Sequence, residues 1–225
     1  MEEEVKRLRI AIDGPAGAGK STVARALAER LNMKYLDTGA MYRAITLKVH
    51  RNNVNLENVS SMQQLLDSTT IKIENDKTIT LDGEDVSEEI RMAHVNEMVS
   101  PVSCLSVVRR RLVSMQQEIA DATPRIVMEG RDIASEVMPD ANYKFYLDAS
   151  LEERARRRYK EQIEKGMNIT LEKVAEAIAG RDVIDSSRED SPLTQVDDAI
   201  VIDTTGLSIE QVIESLVVRV DEKLR

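Results

Sequence analysis

The sequence predicts an α/β fold: five strands in a mainly parallel sheet with helices on both faces, plus one small antiparallel insertion. Three observations predict it. Five short apolar runs each stop at an acidic or small residue, helix-like apolar spacing separates most of them, and a single segment alternates apolar with polar residues. Strands that alternate with helices form parallel sheets buried on both faces, and such sheets bind ligands at the carboxyl ends of their strands.

The first run is Leu8 to Ile12, before Asp13-Gly14, and a helix starting near Lys20 follows it with Val23, Leu27 and Leu31 at four-residue steps. Tyr35-Leu36 before Asp37 is the second run. Ile71-Lys-Ile73 and Thr78-Ile-Thr-Leu81 alternate around Glu74-Asn-Asp-Lys77, the pattern of a half-exposed hairpin, which places an antiparallel insertion near residues 70–86. Ile126 to Met128 before Glu129-Gly130, Phe145 to Leu147 before Asp148, and Ile200 to Ile202 before Asp203 complete the five strands. Ser150-Leu-Glu-Glu153 and Ser208-Ile-Glu-Gln211 fit capping boxes and mark two helix starts. Val212, Leu216, Val217, Val220 and Leu224 give the last helix its apolar face.

A chain of 225 residues without internal repeats or a Pro/Gly-rich linker is expected to form a single domain, residues 1–225. No apolar run is long enough to cross a bilayer, which excludes membrane insertion. Met1-Glu-Glu-Glu-Val-Lys-Arg7 lacks an apolar signal core, and Cys104, the single cysteine, has no partner for an internal disulfide. Both point to a reducing cytoplasm. A net charge of −9 argues against nucleic acid or anionic lipid as a partner, so any phosphate must be held by locally clustered cations.

Gly14-Pro-Ala-Gly-Ala-Gly19-Lys20-Ser21 lies between the first strand and the first helix, the context that a P-loop requires. Its glycines let successive N–H groups face an anion, and the helix N-terminus adds partial positive charge. Lys20 is placed to reach the β- and γ-phosphates of ATP, Ser21 to offer a hydroxyl to Mg²⁺, and Thr22 to supply a second hydroxyl. The alternative, a Gly-rich turn with no ligand, leaves that context unexplained. An Asn-Lys-x-Asp guanine motif is missing, which weakens a GTPase reading. Asp148 could imitate the metal-holding acid of motor ATPases, but a plain strand end fits it better, since a capped helix follows.

A small kinase also needs an acceptor site and cations that close over the transferred group. The cation candidate is Arg154-Ala-Arg-Arg-Arg-Tyr-Lys160, followed by Gly166. Glu152 and Glu153 stand four residues before Arg156 and Arg157, so part of this tract can be an ordinary helix surface. A nucleic-acid patch fits poorly with the acidic remainder, and a mobile lid fits better.

Gly14 to Thr22, Asp37-Thr-Gly-Ala-Met-Tyr-Arg43, Gly130-Arg-Asp132 and Arg181-Asp-Val-Ile-Asp185-Ser-Ser-Arg188 together resemble the bacterial cytidylate kinases, over essentially the whole chain. The resemblance implies the P-loop nucleoside monophosphate kinase fold, with a monophosphate-binding lobe at residues 38–102 and a helical lid at 154–168. It implies an ATP site made of Gly14, Pro15, Ala16, Gly17, Ala18, Gly19, Lys20, Ser21 and Thr22, with Arg157. The transfer step would use Lys20, Arg131, Arg154, Arg157 and Arg158. The acceptor phosphate would meet Thr38, Arg43, Arg131 and Arg188 beside Gly130, the cytosine would meet Ser100, Arg109 and Asp132, and the sugar would face Arg181 and Asp185. The substrates implied are ATP with Mg²⁺ and CMP or dCMP, and a monomer is favoured.

The residues support this independently. Arg181, Asp185 and Arg188 at i, i+4 and i+7 would share one face of a helix, able to read a polar ligand or else forming a surface charge ladder. Cytosine presents an amino donor where uracil has a carbonyl, so Asp132 or Ser100 can tell them apart. The alternatives are an ion pair of Asp132 with Arg131 and, for Ser100, a turn cap before Pro101. The resembled family usually continues Gly-Arg-Asp with Ile-Gly-Thr. This chain has Ile133-Ala134-Ser135, which keeps the hydroxyl but reduces backbone freedom at 134, and it carries Thr38 where some relatives have serine. His50 and His94 join no recognisable constellation and read as structural. Two other readings stay open at this point: a P-loop kinase for another small acceptor, with Asp132 as base, and a non-catalytic nucleotide-dependent switch.

Overall fold

The computed structural model describes residues 7–74, 78–164 and 166–224. Strand β1, Leu8–Asp13, is buried throughout. Helix α1, Lys20–Arg30, leads to β2, Lys34–Asp37, and then to α2, Thr38–Arg51, and α3, Val59–Asp67. A three-stranded antiparallel sheet follows, with β3 at Ile71–Glu74, β4 at Thr78–Leu81 and β5 at Glu84–Asp85. A 3₁₀ turn, Glu89–Arg91, precedes α4, Ala93–Ser103, and α5, Ser106–Ala122. Strand β6, Arg125–Gly130, is followed by a π-helical turn, Ile133–Val137, and by β7, Tyr143–Asp148. Helices α6, Leu151–Glu164, and α7, Leu171–Ser187, form a pair before β8, Ile200–Asp203, and α8, Ile209–Leu224.

The main sheet runs β2-β6-β1-β7-β8, all parallel. Strand periodicity sorts its side chains: Leu8, Ile10 and Ile12 pack with Val23 and Leu27 of α1 and with Val212 and Leu216 of α8, while Ala11 faces the opposite core with Met41, Ile45 and Leu112. Leu31, the C-cap of α1, also packs on the first of these cores. The side chain of Leu224 lies outside the described ones. Register aligns the strand ends, so that Ile12 and Asp37 both stand opposite Glu129 and Asp148 stands opposite Asp203. One edge of the sheet therefore collects Asp13, Asp37, Glu129, Asp148 and Asp203.

Only the capping box at Ser208 is reciprocal, with Ser208 and Gln211 exchanging bonds of 2.9 and 3.2 Å. At Ser150 the Glu153 N–H donates to Oγ at 3.2 Å, but the Ser150 N–H donates to Thr205 Oγ1 at 3.0 Å and the Glu153 carboxylate accepts from Arg157 instead. The expected hairpin has a third strand, because Asp82-Gly83 turns with φ of 53° and 90° and returns the chain along β4. The turn expected at Glu74-Asn-Asp-Lys77 lies mostly outside the described residues, as do residues 1–6 and Lys165 of the expected lid.

Candidate functional site

Between β1 and α1 the chain bends through Gly14, Gly17 and Gly19, with φ of 148°, 79° and 89°. A Cβ on Gly14 would stand 2.0 Å from the Leu147 carbonyl oxygen, so that position accepts only glycine. Gly19 is the N-cap of α1 and leaves the helix's first N–H groups without a side-chain cap. Lys20 is buried, and its Nζ donates to the Pro15 carbonyl at 2.7 Å. Burial, and then the charge of Arg131, pull its pKa well below the ordinary lysine value. A phosphate anion in the loop offsets both effects. Ser21 and Thr22 are exposed in the first turn.

Two strand-end carboxylates underlie this loop, and neither was singled out as a site residue from the sequence. Asp13 accepts from the Ile133 and Ala134 N–H groups at 2.9 and 2.8 Å, yet burial pushes its pKa up to about 6. Glu129 is buried, accepts from Tyr35 Oη at 3.0 Å and is hydrogen-bonded to Ser21. Its pKa is raised by burial first and by Asp37 second. The signal for Glu129 was present, an apolar strand ending in an acid, but only the register shows that its strand adjoins the P-loop strand.

On the acceptor side, Thr38 Oγ1 donates to the Glu129 carbonyl at 2.7 Å. A Cβ on Gly130 would lie 2.7 Å from both that hydroxyl and Ile133 Cδ1, so glycine lets α2 close on β6. Burial lowers the pKa of Arg43, with Asp37 acting in the opposite direction. Arg109 and Asp132 are both buried and joined by a short ion pair. Asp132 therefore pairs with Arg109, not with its neighbour Arg131. The Arg109 guanidinium also lies over the Tyr42 ring, 5.2 Å from its centroid, and the Tyr42 hydroxyl is buried with no hydrogen-bond partner. Burial, then Asp132, raise the pKa of that hydroxyl.

Arg131 instead donates through Nε to Asp185 at 2.8 Å, with Arg188 3.4 Å and Arg181 3.7 Å from the same carboxylate. Burial opposes the Asp185 charge, but the three arginines outweigh it and hold its pKa below the usual carboxylate range. Arg181, surrounded by burial and then by Arg131, is pulled down to about 10. The three-on-one-helix expectation holds for Arg181 and Asp185 only. Helix α7 ends at Ser187, and Arg188 is extended, at φ −65° and ψ 146°. It still reaches the cluster, with its Nε donating to Ser191 O at 2.7 Å where the chain turns back at φ 48°, and Leu193 N–H caps the Asp185 carbonyl at 2.7 Å.

Ser100 sits inside α4, whose last turn contains Pro101, and so is not a cap before that proline. Helix α4 packs on α7. Ala134 keeps φ outside the left-handed region, within a π-helical turn closed by Val137 N–H to Asp132 O at 3.2 Å and Met138 N–H to Ile133 O at 2.7 Å. That turn aims the Ala134 N–H at Asp13 without needing a glycine. Ser135 Oγ is 3.5 Å from the Asp132 carbonyl.

The arginine tract divides. Arg154 is buried and donates to Ala149 O, Ala16 O and Asp182 at 2.9, 3.1 and 2.5 Å. Arg157 reaches Thr204 with both terminal nitrogens, at 2.9 and 2.6 Å, and Nη1 lies 3.9 Å from where a Gly19 Cβ would be. Arg156 and Arg158 form surface pairs with Glu152 and Glu161. His50 and His94 face each other at 4.6 Å, and no group of three metal-ligating residues occurs among the described residues.

A family model described as cytidylate kinase matches residues 10–222. The chain is 52% identical over 218 residues to a cytidylate kinase of Caldanaerobacter subterraneus subsp. tengcongensis, covering 97% of this chain and 95% of that protein. It is 50% identical over 212 residues to a cytidylate kinase of Carboxydothermus hydrogenoformans, covering 93% and 95%. Among solved structures it is similar to a shikimate kinase from Acinetobacter baumannii in complex with shikimate, at a TM-score of 0.50 and 15% identity, covering 97% of this chain and 96% of that one. This last likeness concerns the fold alone. With its family model matched almost from end to end, the chain belongs to the cytidylate kinase family.

Proposed function

We propose that this protein transfers the γ-phosphoryl group of ATP to a phosphate oxygen of CMP, giving ADP and CDP, with dCMP as a second acceptor. The observation that carries the reading is the position of Arg131. It is bonded to Asp185 in the acceptor cluster, and its charge also lowers the pKa of Lys20 in the P-loop. One guanidinium thus stands between two anion-binding clusters, where a phosphoryl group in transit carries its charge.

In this reading the loop amides from Gly14 to Thr22 and Lys20 hold the triphosphate, with Arg157 beside them. Thr38, Arg43, Arg131 and Arg188 hold the acceptor phosphate, Ser100, Arg109 and Asp132 read the cytosine, and Arg181 and Asp185 face the sugar. A bond forms between an acceptor oxygen and the γ-phosphorus while the bond from that phosphorus to the bridging oxygen of ADP breaks. A phosphate dianion is already nucleophilic at neutral pH, so alignment and charge neutralisation suffice. Asp132, the one candidate base for a hydroxyl acceptor, is bonded to Arg109 instead.

Ser21 and Glu129 suit Mg²⁺, since they offer a hydroxyl and a carboxylate, both hard oxygens, and burial leaves Glu129 in want of a cation. Mg²⁺ bound there with ATP would supply charge neutralisation for the phosphates. Residues 38–102 act as the monophosphate-binding lobe and 154–168 as the lid, with Arg154 and Arg158 as its further cations. A lid that moves is consistent with the small separate apolar cluster of Ala155, Val174 and Ile178 between α6 and α7. Both pockets belong to one chain, as a monomer requires. No described helix is long and apolar enough to cross a membrane, and we place the protein in the cytoplasm.

The test is ADP formation from Mg-ATP with CMP, dCMP, UMP, AMP or no acceptor. Turnover that depends on CMP and dCMP supports the reading. Turnover indifferent to acceptor, or selective for another one, overturns it.

A further inference from the structure

Helix α7 meets both sites. Asp185 and Arg181 belong to the acceptor cluster, while Asp182, three residues before Asp185 and so its neighbour on the helix, turns to the donor loop. One Asp182 oxygen accepts from Arg154 Nη1 at 2.5 Å, and the other accepts from the Ala16 N–H of the P-loop at 3.4 Å. The same Arg154 nitrogen donates to the Ala16 carbonyl at 3.1 Å, so Asp182, Arg154 and Ala16 close a ring of contacts. The approach is tight: a Cβ on Gly17 would stand 3.1 Å from both the Cβ and the carbonyl oxygen of Arg154. Phosphate loop, base of the lid helix and acceptor helix are therefore joined at one carboxylate.

We propose that Asp182 is a positioning residue that couples the two nucleotide sites, so that filling the acceptor pocket organises the P-loop and Arg154 for ATP. This rests on the functional reading above. Coupling requires an element whose position both sites bias, and α7 is such an element. An acceptor nucleotide draws on Arg131, Arg181 and Arg188, which now converge on Asp185, and α7 carries the resulting shift to Asp182. Asp182 touches no reacting atom and acts through Arg154 and the Ala16 N–H. A carboxylate whose only task is to neutralise Arg154 would contribute to stability and leave the two substrates independent.

The experiment is a titration of the protein with a non-hydrolysable ATP analogue and Mg²⁺, with and without saturating CMP, for the wild type, Asp182→Ala and Asp182→Asn. Asp182→Ala leaves Arg154 without its carboxylate, so the isosteric Asp182→Asn is run beside it, and thermal unfolding checks that each is folded. The wild type is expected to bind the analogue about 10-fold more tightly when CMP is present. Both variants are expected to bring that ratio to within about twofold of unity while affinity without CMP holds or improves, because Arg154 is freed toward the triphosphate. Asp182→Glu, which keeps the charge, is expected to regain part of the ratio. An unchanged ratio in the variants, or equal weakening with and without CMP, overturns the proposal. A wild type that binds both nucleotides without coupling overturns it as well and leaves the kinase reading standing. A wild type that does not bind CMP overturns the kinase reading itself.

Discussion

In the proposed reading the donor and acceptor sites solve the same problem, holding phosphate, by opposite means. The proposed donor site is nine consecutive residues whose main-chain N–H groups would do most of the holding, and its shape is set by glycine dihedrals that can be met in one place. The proposed acceptor site is drawn from α2, α4, α5, the end of β6 and the end of α7, and it is held together by ion pairs, the buried Arg109 with Asp132 and the half-buried Arg131 with Asp185. Buried pairs are costly to break from one side, since the remaining charge is left unpaired. A contiguous site therefore tolerates change outside its own loop, whereas a dispersed site makes function and stability hard to separate.

The sharpest separation belongs to Lys20. Its Nζ donates to Pro15 O and forms no salt bridge among the described residues, so Lys20→Ala is expected to lower kcat by roughly 1,000-fold or more while thermal stability stays within about 1 kcal/mol of wild type. Burial already opposes its charge, which makes removal mild for the fold. Steady-state kinetics beside a thermal melt checks both halves, and near-normal turnover would remove Lys20 from the mechanism.

The two sites also carry carboxylates with opposite responses to pH. Asp13, under the donor loop, is held at about 6 against 3.8 for an ordinary aspartate, so the native state binds its proton more tightly than the unfolded chain. Its contribution to stability is then greatest below the unfolded value and is lost as pH rises through 6, by roughly 3 kcal/mol in all. Asp185 has the opposite sign: held low by its arginines, it contributes stability above the unfolded value and loses it as pH falls. Asp13→Asn lacks the first titration, so its stability relative to wild type is expected to rise by about 2–3 kcal/mol between roughly pH 4 and pH 7. Denaturant melts at the two pH values measure this, and a constant difference would mean that Asp13 ionises normally.

Asp132 tests whether the dispersed site reads the base. Asp132→Asn keeps the shape but replaces a charged acceptor by a neutral one, and discrimination of CMP from UMP is expected to shrink roughly 100-fold, the worth of one charged hydrogen bond. Because Arg109 loses its counter-charge, a stability loss of about 3 kcal/mol should accompany it. Selectivity that survives this substitution would shift base reading onto Ser100 and Arg109.

The same contrast decides what could be read from sequence. The five main strands were legible because each is an apolar run stopped by an acid, and β5 was not, because Glu84–Asp85 has no apolar residue to alternate. The P-loop was legible as one word. Asp132 invited pairing with adjacent Arg131, but burial chose Arg109, 23 residues away in sequence. Arg188 counted as helical by spacing, yet the chain leaves the helix one residue earlier. Asp13, Glu129 and Asp182 gave only local signals, while their importance comes from strand register and from helix-to-loop contacts that no short motif records.

Thr38 is where the two sites touch, and it yields the smallest expected effect. Its hydroxyl belongs to the proposed acceptor segment but donates to the main chain of Glu129, whose side chain is hydrogen-bonded to Ser21 of the P-loop. Thr38→Ser keeps that bond and removes a methyl group, so turnover is expected to stay within about threefold and stability to fall by less than about 1 kcal/mol. Thr38→Val keeps the volume and removes the donor, leaving the buried Glu129 carbonyl short of a partner at a cost of about 1–2 kcal/mol. If the hydroxyl also meets the acceptor phosphate, Thr38→Val raises KM for CMP several-fold more than KM for ATP. Equal changes in the two would place Thr38 in the frame shared by both sites and remove it from the acceptor pocket.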